Sequence, residues 1–258
     1  MDEDYIYSTL NPILNEYVLL DNSFVKILNY TNDKMLVDFN VPYAGKEIKL
    51  NLKLIKKQSS KIITGLDVKE IPDAPQLEVF VMSYCPYGLQ MEKGVLPAYE
   101  LLKNKANFKI RFVSYTMHGQ KEEDENNRQI CIREETNKFW PYLECFVGKG
   151  QGYESQCMEE AGINENEIEN CMENRAEDYM AIDKALNEKY GVRGSPTSIL
   201  DGKSISIYPR SPEEVKNAIC NAFDENPPEE CSTSLDSSNP SPGFGFSTST
   251  STSAATCG

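Results

Sequence analysis

Val79-Phe80-Val81-Met82-Ser83-Tyr84-Cys85-Pro86-Tyr87-Gly88 is the stretch that decides how the chain is read. An apolar run rich in β-branched and aromatic residues breaks at a Cys-Pro pair. Helical spacing then begins, with Leu89, Met91, Val95, Tyr99 and Leu102 as its apolar positions. Pro86 suits the first helical position, where its missing N–H has no intrahelical partner to lose. A cysteine between a strand end and a helix start is favoured as thiolate by the free amides and positive dipole end of the helix. The same pattern also describes a buried structural cysteine that happens to precede a helix, and this stretch alone leaves both readings open.

Working outward, Ile71-Pro72-Asp73-Ala74-Pro75 reads as a linker, and residues 1–71 before it as a small β-rich unit. There the period is two: Glu47 to Leu54 alternates strictly, and Phe24 to Leu28, Met35 to Val41 and Lys61 to Val68 read as further strands. The unit contains no cysteine and no histidine, so a prop or pairing surface is its expected role. After the linker come a strand at 77–83, a helix at 88–104 with Pro97 inside it, and a strand at 107–115.

A mostly helical stretch, about 118–190, follows, including one long helix from Asn164 to Lys189. Gly191 ends that helix, and Ser195-Pro196-Thr197 leads into a strand at Ser198 to Leu200. Asp201-Gly202 is a two-residue hairpin signal before Ser204 to Tyr208. Ser211-Pro212-Glu213-Glu214 is a capping box that opens a last helix to about Phe223. Residues 232–258, rich in Ser, Thr, Pro and Gly, are expected to be disordered.

Composition narrows the function. The net charge of -14, from 40 acidic and 26 basic residues, argues against nucleic acid and anionic membrane surfaces as partners. No apolar run approaches the roughly 20 residues of a membrane span. Met1-Asp2-Glu3-Asp4 is acidic, unlike a signal peptide, although a removed leader would leave the same start. The eight cysteines favour an oxidising compartment and structural disulfides, hence an extracytoplasmic location. Asn29-Tyr30-Thr31 is a glycosylation triplet compatible with export.

No C-x2-C pair exists and His118 is the only histidine, so no metal is expected. No nucleotide or flavin signature occurs either, and no cofactor is expected. Cys131 with Cys171 and Cys145 with Cys157 form a nested set of the kind antiparallel neighbours produce. It is chosen here among three connectivities. Cys220 with Cys231 would clip the start of the tail. Loops of this size are stabilised by about 2–4 kcal/mol per bridge. Cys85 and Cys257 are then left over.

The order after the linker is β, Cys-turn, α, β, helical insertion, Pro-turn, β, β, α. That is the thioredoxin-like α/β fold with a helical insertion, which should set Cys85 facing the X-Pro turn. There Ser195-Pro196 would supply the cis proline that many proteins of this fold carry; a trans bond stays open. Residues 76–223 resemble the DsbA-like branch of that fold. More narrowly, they resemble the gamma-interferon-inducible lysosomal thiol reductase family, whose signature reads C-Q-H-G-x2-E-C-x2-N-x4-C. His118, Gly119, Glu122, Asn126 and Cys131 fall in register with it; Thr116, Met117 and Glu123 depart. The two cysteines absent at Thr116 and Glu123 are what the loss of one disulfide would look like. His118 and Glu122 are read as a polar loop and helix cap.

The family motif is C-x-x-C, whereas this chain has Cys85-Pro86-Tyr87-Gly88. A second thiol normally attacks the mixed disulfide and releases the substrate. Three outcomes follow from its absence. Cys85 could act as a monothiol oxidoreductase or isomerase on protein or peptide disulfides, resolved by an external small thiol or by the substrate. Cys257 could resolve it, on a tail reaching roughly 25 Å by coil scaling. Or the domain could be a redox-inactive peptide- or protein-binding module. The first is preferred. In it Cys85 is the nucleophile, and Pro196 with the Ser195 and Thr197 backbone holds the substrate strand. Tyr84, Pro86 and Tyr87 shape the groove.

Overall fold

The computed structural model describes residues 17–20, 23–30, 35–38, 71–223 and 226–246. The chain forms two compact units, Met1–Ile63 and Thr64–Gly258. In the first, β1 (Tyr17–Leu20), β2 (Ser23–Tyr30) and β3 (Met35–Asp38) form an antiparallel sheet in that order. Tyr17 faces Lys26 and Tyr30 faces Met35, with an irregularity between Ile27 and Asn29. The strands expected at 47–54 and 61–68, and the glycosylation triplet beyond Tyr30, lie outside the described residues.

The second unit is built on β4 (Gln76–Val81), which turns at Met82 to Cys85 into α1 (Pro86–Leu102) and returns as β5 (Asn107–Phe112). Five helices follow: α2 (Gln120–Glu135), α3 (Phe139–Lys149), α4 (Glu154–Glu160), α5 (Glu165–Asn174) and α6 (Ala176–Tyr190). Then come β6 (Thr197–Leu200), β7 (Lys203–Ile205) and α7 (Pro212–Cys220). The sheet order is β5-β4-β6-β7, with β4 parallel to β5 and antiparallel to β6. This βαβ opening and ββα close, with five helices between them, is a thioredoxin-like fold with a helical insertion.

Strand β4 is central and buried on both faces; apolar residues dominate, and the one buried charge, Glu78, is paired with Arg111. Leu77, Val79 and Val81 pack with Leu89, Val95, Ala98 and Leu102 of α1 in the main core. Phe80 and Met82 face the other way and cluster with Cys85, Val113 and Ile199, against Leu186 and Tyr190 of α6. Asp201 and Gly202, at φ 48 and 74, make the tight β6–β7 turn that Asp-Gly is suited to. The Ser211 hydroxyl accepts the Glu214 N–H and caps α7.

The single helix expected over 164–189 is two helices, broken at Arg175 (φ −138, ψ −18). Apolar spacing continues through the break, but tertiary anchors pull the halves apart. Cys171 is bridged to Cys131 of α2, the Arg175 guanidinium binds Glu135, and Asp183 of α6 is tied to β5. Strand β7 stops at Ile205, short of the expected Tyr208, and Ile207 leaves the sheet to enter the main core.

Disulfides join Cys131 to Cys171, Cys145 to Cys157 and Cys220 to Cys231. Beyond Cys231 the chain does not behave as its composition suggests. Disorder is expected from residue 232, yet residues 232–246 lie against the domain and are held by a series of hydrogen bonds. A Ser/Gly/Pro-rich segment buries little apolar surface by itself. Here it is fixed instead by polar groups on α1 and α7.

Candidate active site

Cys85 is the residue before α1, in extended geometry (φ −68, ψ 120), and Pro86 is the first helical residue. The Cys85 N–H donates to Met82 O, and its carbonyl accepts the Leu89 N–H, so the turn continues directly into the helix. The Ser195–Pro196 peptide bond is cis. Cys85 Sγ lies 3.4 Å from the Ser195 carbonyl oxygen. This is a contact rather than a hydrogen bond, because Cys85 is disulfide-bonded and its sulfur carries no proton.

The pairing argued from the sequence leaves Cys85 over, either as one of a reactive pair or as a free thiol; here it is bonded. Its partner lies outside the described residues, as does Cys257. Cys85 is also 0 % exposed, so in this state it is a sealed sulfur and not an accessible thiolate.

The position that would carry the second thiol of a C-x-x-C motif has no room for a side chain. A Cβ on Gly88 would stand 2.7 Å from Ser195 Oγ and 3.1 Å from Met82 O. Ser195 Oγ is fixed there by accepting the Met82 N–H at 2.9 Å. Thus the residue before the cis proline ties the end of the Cys strand and fills the space beside Cys85. Thr197 Oγ1 donates to Gly194 O at 2.8 Å and steadies the same loop.

The structure separates the two tyrosines assigned to the groove. Tyr87 is half-buried with the Arg210 guanidinium 5.3 Å from its ring centre, and it packs on the Cys85 cluster. Tyr84 is 7 % exposed and turns to the opposite side. It meets Phe146 and Phe244 edge-on at 5.8 and 5.7 Å, and its hydroxyl donates to Glu154 at 3.2 Å. Tyr84 is therefore packed under the C-terminal segment, and does not line an open surface.

Residues read as a loop and cap brace the cysteine turn. The buried Glu122 carboxylate accepts the Tyr84 N–H at 3.3 Å and the Met117 N–H at 2.8 Å. His118 Nδ1 sits 2.5 Å from Glu122 Oε2, the same oxygen that accepts the Tyr84 N–H. Asn126 Oδ1 accepts the Ser83 N–H at 3.2 Å. Gly119, at φ 73 ahead of α2, takes a backbone conformation that favours glycine. The register of His118, Gly119, Glu122 and Asn126 was visible in sequence, but their hold on residues 83 and 84 was not.

Two charged residues of α1 were missed altogether. Glu92 is buried with neither carboxylate oxygen hydrogen-bonded, and its pKa is pushed up to about 8 by burial and then by Glu125, with Lys93 opposing. Lys93 is 4 % exposed, and burial lowers its pKa. Its Nζ donates to Ser241 Oγ, Gly243 O and Gly245 O at 3.2, 2.8 and 2.9 Å. Among the described residues there is no cluster of His, Cys, Asp or Glu arranged to hold a metal ion, and no helix long and apolar enough to cross a membrane.

No family model matches the sequence, and no curated protein matches it. Solved structures do. BdbD from Bacillus subtilis, in its oxidised form, is 16% identical with a TM-score of 0.49, over 64% of this chain and 91% of that chain. MdbA from Actinomyces oris, described as a thiol-disulfide oxidoreductase, is 11% identical with a TM-score of 0.45, over 59% and 83%. DsbA from Pseudomonas aeruginosa is 16% identical with a TM-score of 0.41, over 57% and 81%.

Proposed function

We propose that the protein is an extracytoplasmic thiol-disulfide oxidoreductase or isomerase that attacks protein or peptide disulfides through one nucleophile, Cys85. The observation that carries this reading is the contact of Cys85 Sγ with the Ser195 carbonyl at the foot of α1. A sulfur there has the helix start on one side, favouring its thiolate. On the other side lies a backbone that a substrate strand can pair with.

In the reaction the thiolate attacks one sulfur of a substrate disulfide. The other sulfur leaves as a thiolate, and a mixed disulfide remains on Cys85. Pro196, with Ser195 and Thr197, positions the substrate strand. The three internal bridges of the domain favour an oxidising compartment. The resemblance to the lysosomal thiol reductase family supports disulfide chemistry at Cys85, although that family carries a second thiol where this chain has Gly88.

The test is pH-dependent alkylation of the fully reduced protein, read by mass spectrometry at Cys85. Half-maximal labelling at a pH below that of a free cysteine supports the enzyme. A Cys85 that stays unlabelled after reduction, at every pH where the fold persists, leaves only a redox-inactive peptide- or protein-binding module.

A further inference from the structure

The C-terminal segment is held first on α7 and then on the active-site helix α1. Lys216 Nζ donates to Thr233 O, the Leu235 N–H donates to Glu213 Oε2, and the Glu213 N–H donates to Asp236 O. The Arg210 N–H then donates to Asn239 Oδ1, and the Gln90 amide to Pro240 O. Lys93 gathers Ser241, Gly243 and Gly245. The Gly243 N–H donates to Pro86 O at 3.0 Å, one residue from Cys85.

The aromatic residues that follow have seats prepared for them. Phe244 fits between Tyr84 and Phe146, over Gly150, and Phe246 lies over Gly148. A Cβ on Gly148 would come within 2.8 Å of the Phe246 ring, and one on Gly150 within 3.0 Å of the Phe244 ring. The segment is thus a strap that passes the Cys-Pro turn at Gly243 and runs on over α3 to Phe246.

Six of the eight cysteines are paired with one another, and Cys85 is disulfide-bonded to a partner outside the described residues. Position 88 cannot supply that partner. Cys257 stands eleven residues beyond Phe246. At about 3.3 Å per residue, the fourteen residues from Gly243, whose N–H is fixed on Pro86 O, to Cys257 span up to roughly 46 Å.

We propose that the strap delivers Cys257 to Cys85, and that Cys257 is the resolving thiol this domain lacks at position 88. The inference rests on Cys85 being the nucleophile. After Cys85 has formed its mixed disulfide, the Cys257 thiolate attacks Cys85 Sγ. The Cys85–Cys257 bond forms, the Cys85–substrate bond breaks, and the second substrate sulfur leaves as a thiolate and takes up a proton. The substrate disulfide has then gained two electrons from the Cys85–Cys257 pair. A small-molecule dithiol, itself oxidised to its disulfide, resets the pair.

The experiment follows a single turnover of the full chain, reduced mildly enough to leave the three internal disulfides intact, with an aromatic disulfide, 5,5′-dithiobis(2-nitrobenzoate), counting thiolates released. The expected result is two per protein from wild type, with peptide mapping that shows a Cys85–Cys257 link. Cys257→Ser releases one and keeps a stable adduct on Cys85. A tethered thiol has an effective concentration on the order of millimolar, so it outruns a small thiol supplied at on the order of 0.01 mM by about a hundredfold. Phe244→Ala, which loosens the strap, slows the second release while leaving the first.

The proposal is overturned if Cys257→Ser still releases two thiolates at the wild-type rate, if Cys257 maps to another bond, or if Phe244→Ala leaves the second release unchanged. No release at all from wild type contradicts the nucleophile reading itself. One release with an unresolved adduct contradicts only the role of Cys257.

Discussion

Gly88 and Ser195 are coupled across the active site: the hydroxyl of one occupies the space that any side chain on the other would need. The virtual Cβ at 88 is 2.7 Å from Ser195 Oγ, and that oxygen is held by the Met82 N–H. Gly88→Ala should therefore destabilise the protein by about 1–3 kcal/mol, as overpacking does, despite alanine's better helix propensity. The cost should shrink in a Ser195→Ala background, giving a coupling of about 0.5 kcal/mol or more between the two sites. Urea unfolding of the four proteins checks this. Strictly additive effects would mean the two residues do not share that space.

The second prediction concerns the buried ionic cluster that docks α6 on the sheet. Asp183 takes Arg111 Nη1 at 2.9 Å, Arg133 Nη1 at 2.9 Å and the Phe112 N–H at 2.9 Å. Arg111 also binds Glu78 at 2.6 Å. Burial alone would raise the Asp183 pKa, but Arg133 and Arg111 overcome it and hold the carboxyl below its usual value. Asp183→Ala leaves two buried guanidinium groups short of their counter-ion and should cost about 3–5 kcal/mol. A shift of the unfolding midpoint equal to that of an exposed Asp178→Ala control would contradict this.

Glu92 makes stability fall as pH rises. Below its ordinary pKa of 4.5 both the native and unfolded chains hold the proton, and the site is neutral to folding. Between 4.5 and about 8 the unfolded chain has released it while the native state has not. Stability therefore declines across that window, by at most about 1.4 kcal/mol per pH unit from this group. Glu92→Gln should remove this slope, matching wild type near pH 4.5 and exceeding it near pH 8. Denaturation profiles that stay parallel across the window would show that Glu92 is ionised in the native protein.

Much of the fold was legible because its signals were local. The β4–Cys-turn–α1 unit shows in an apolar run, a proline and a change of period. The Asp201-Gly202 turn and the Ser211 cap depend on residue types at fixed offsets. The break at Arg175 was not legible, since spacing in a helix does not reveal which half is bridged to α2 and which is salt-bridged to β5. The strap was misread for the same reason. Its order comes from Lys93, Gln90 and Glu213, residues more than a hundred positions away or on another helix, and composition carries no trace of them. At the site, Cys85 and the Ser195–Pro196 turn could be chosen from order alone. The bracing of residues 83 and 84 by Asn126 and Glu122, and the burial of Tyr84 under Phe244, needed coordinates.

The central claim is that one sulfur, Cys85, carries out disulfide exchange. Its most direct test is the rate at which Cys85→Ser reduces insulin in the presence of a small dithiol, beside wild type prepared in the same way. The expected result is a fall to the rate of the dithiol alone, with the three internal disulfides and the far-ultraviolet circular dichroism unchanged. A Cys85→Ser protein that reduces insulin at the wild-type rate would contradict the account.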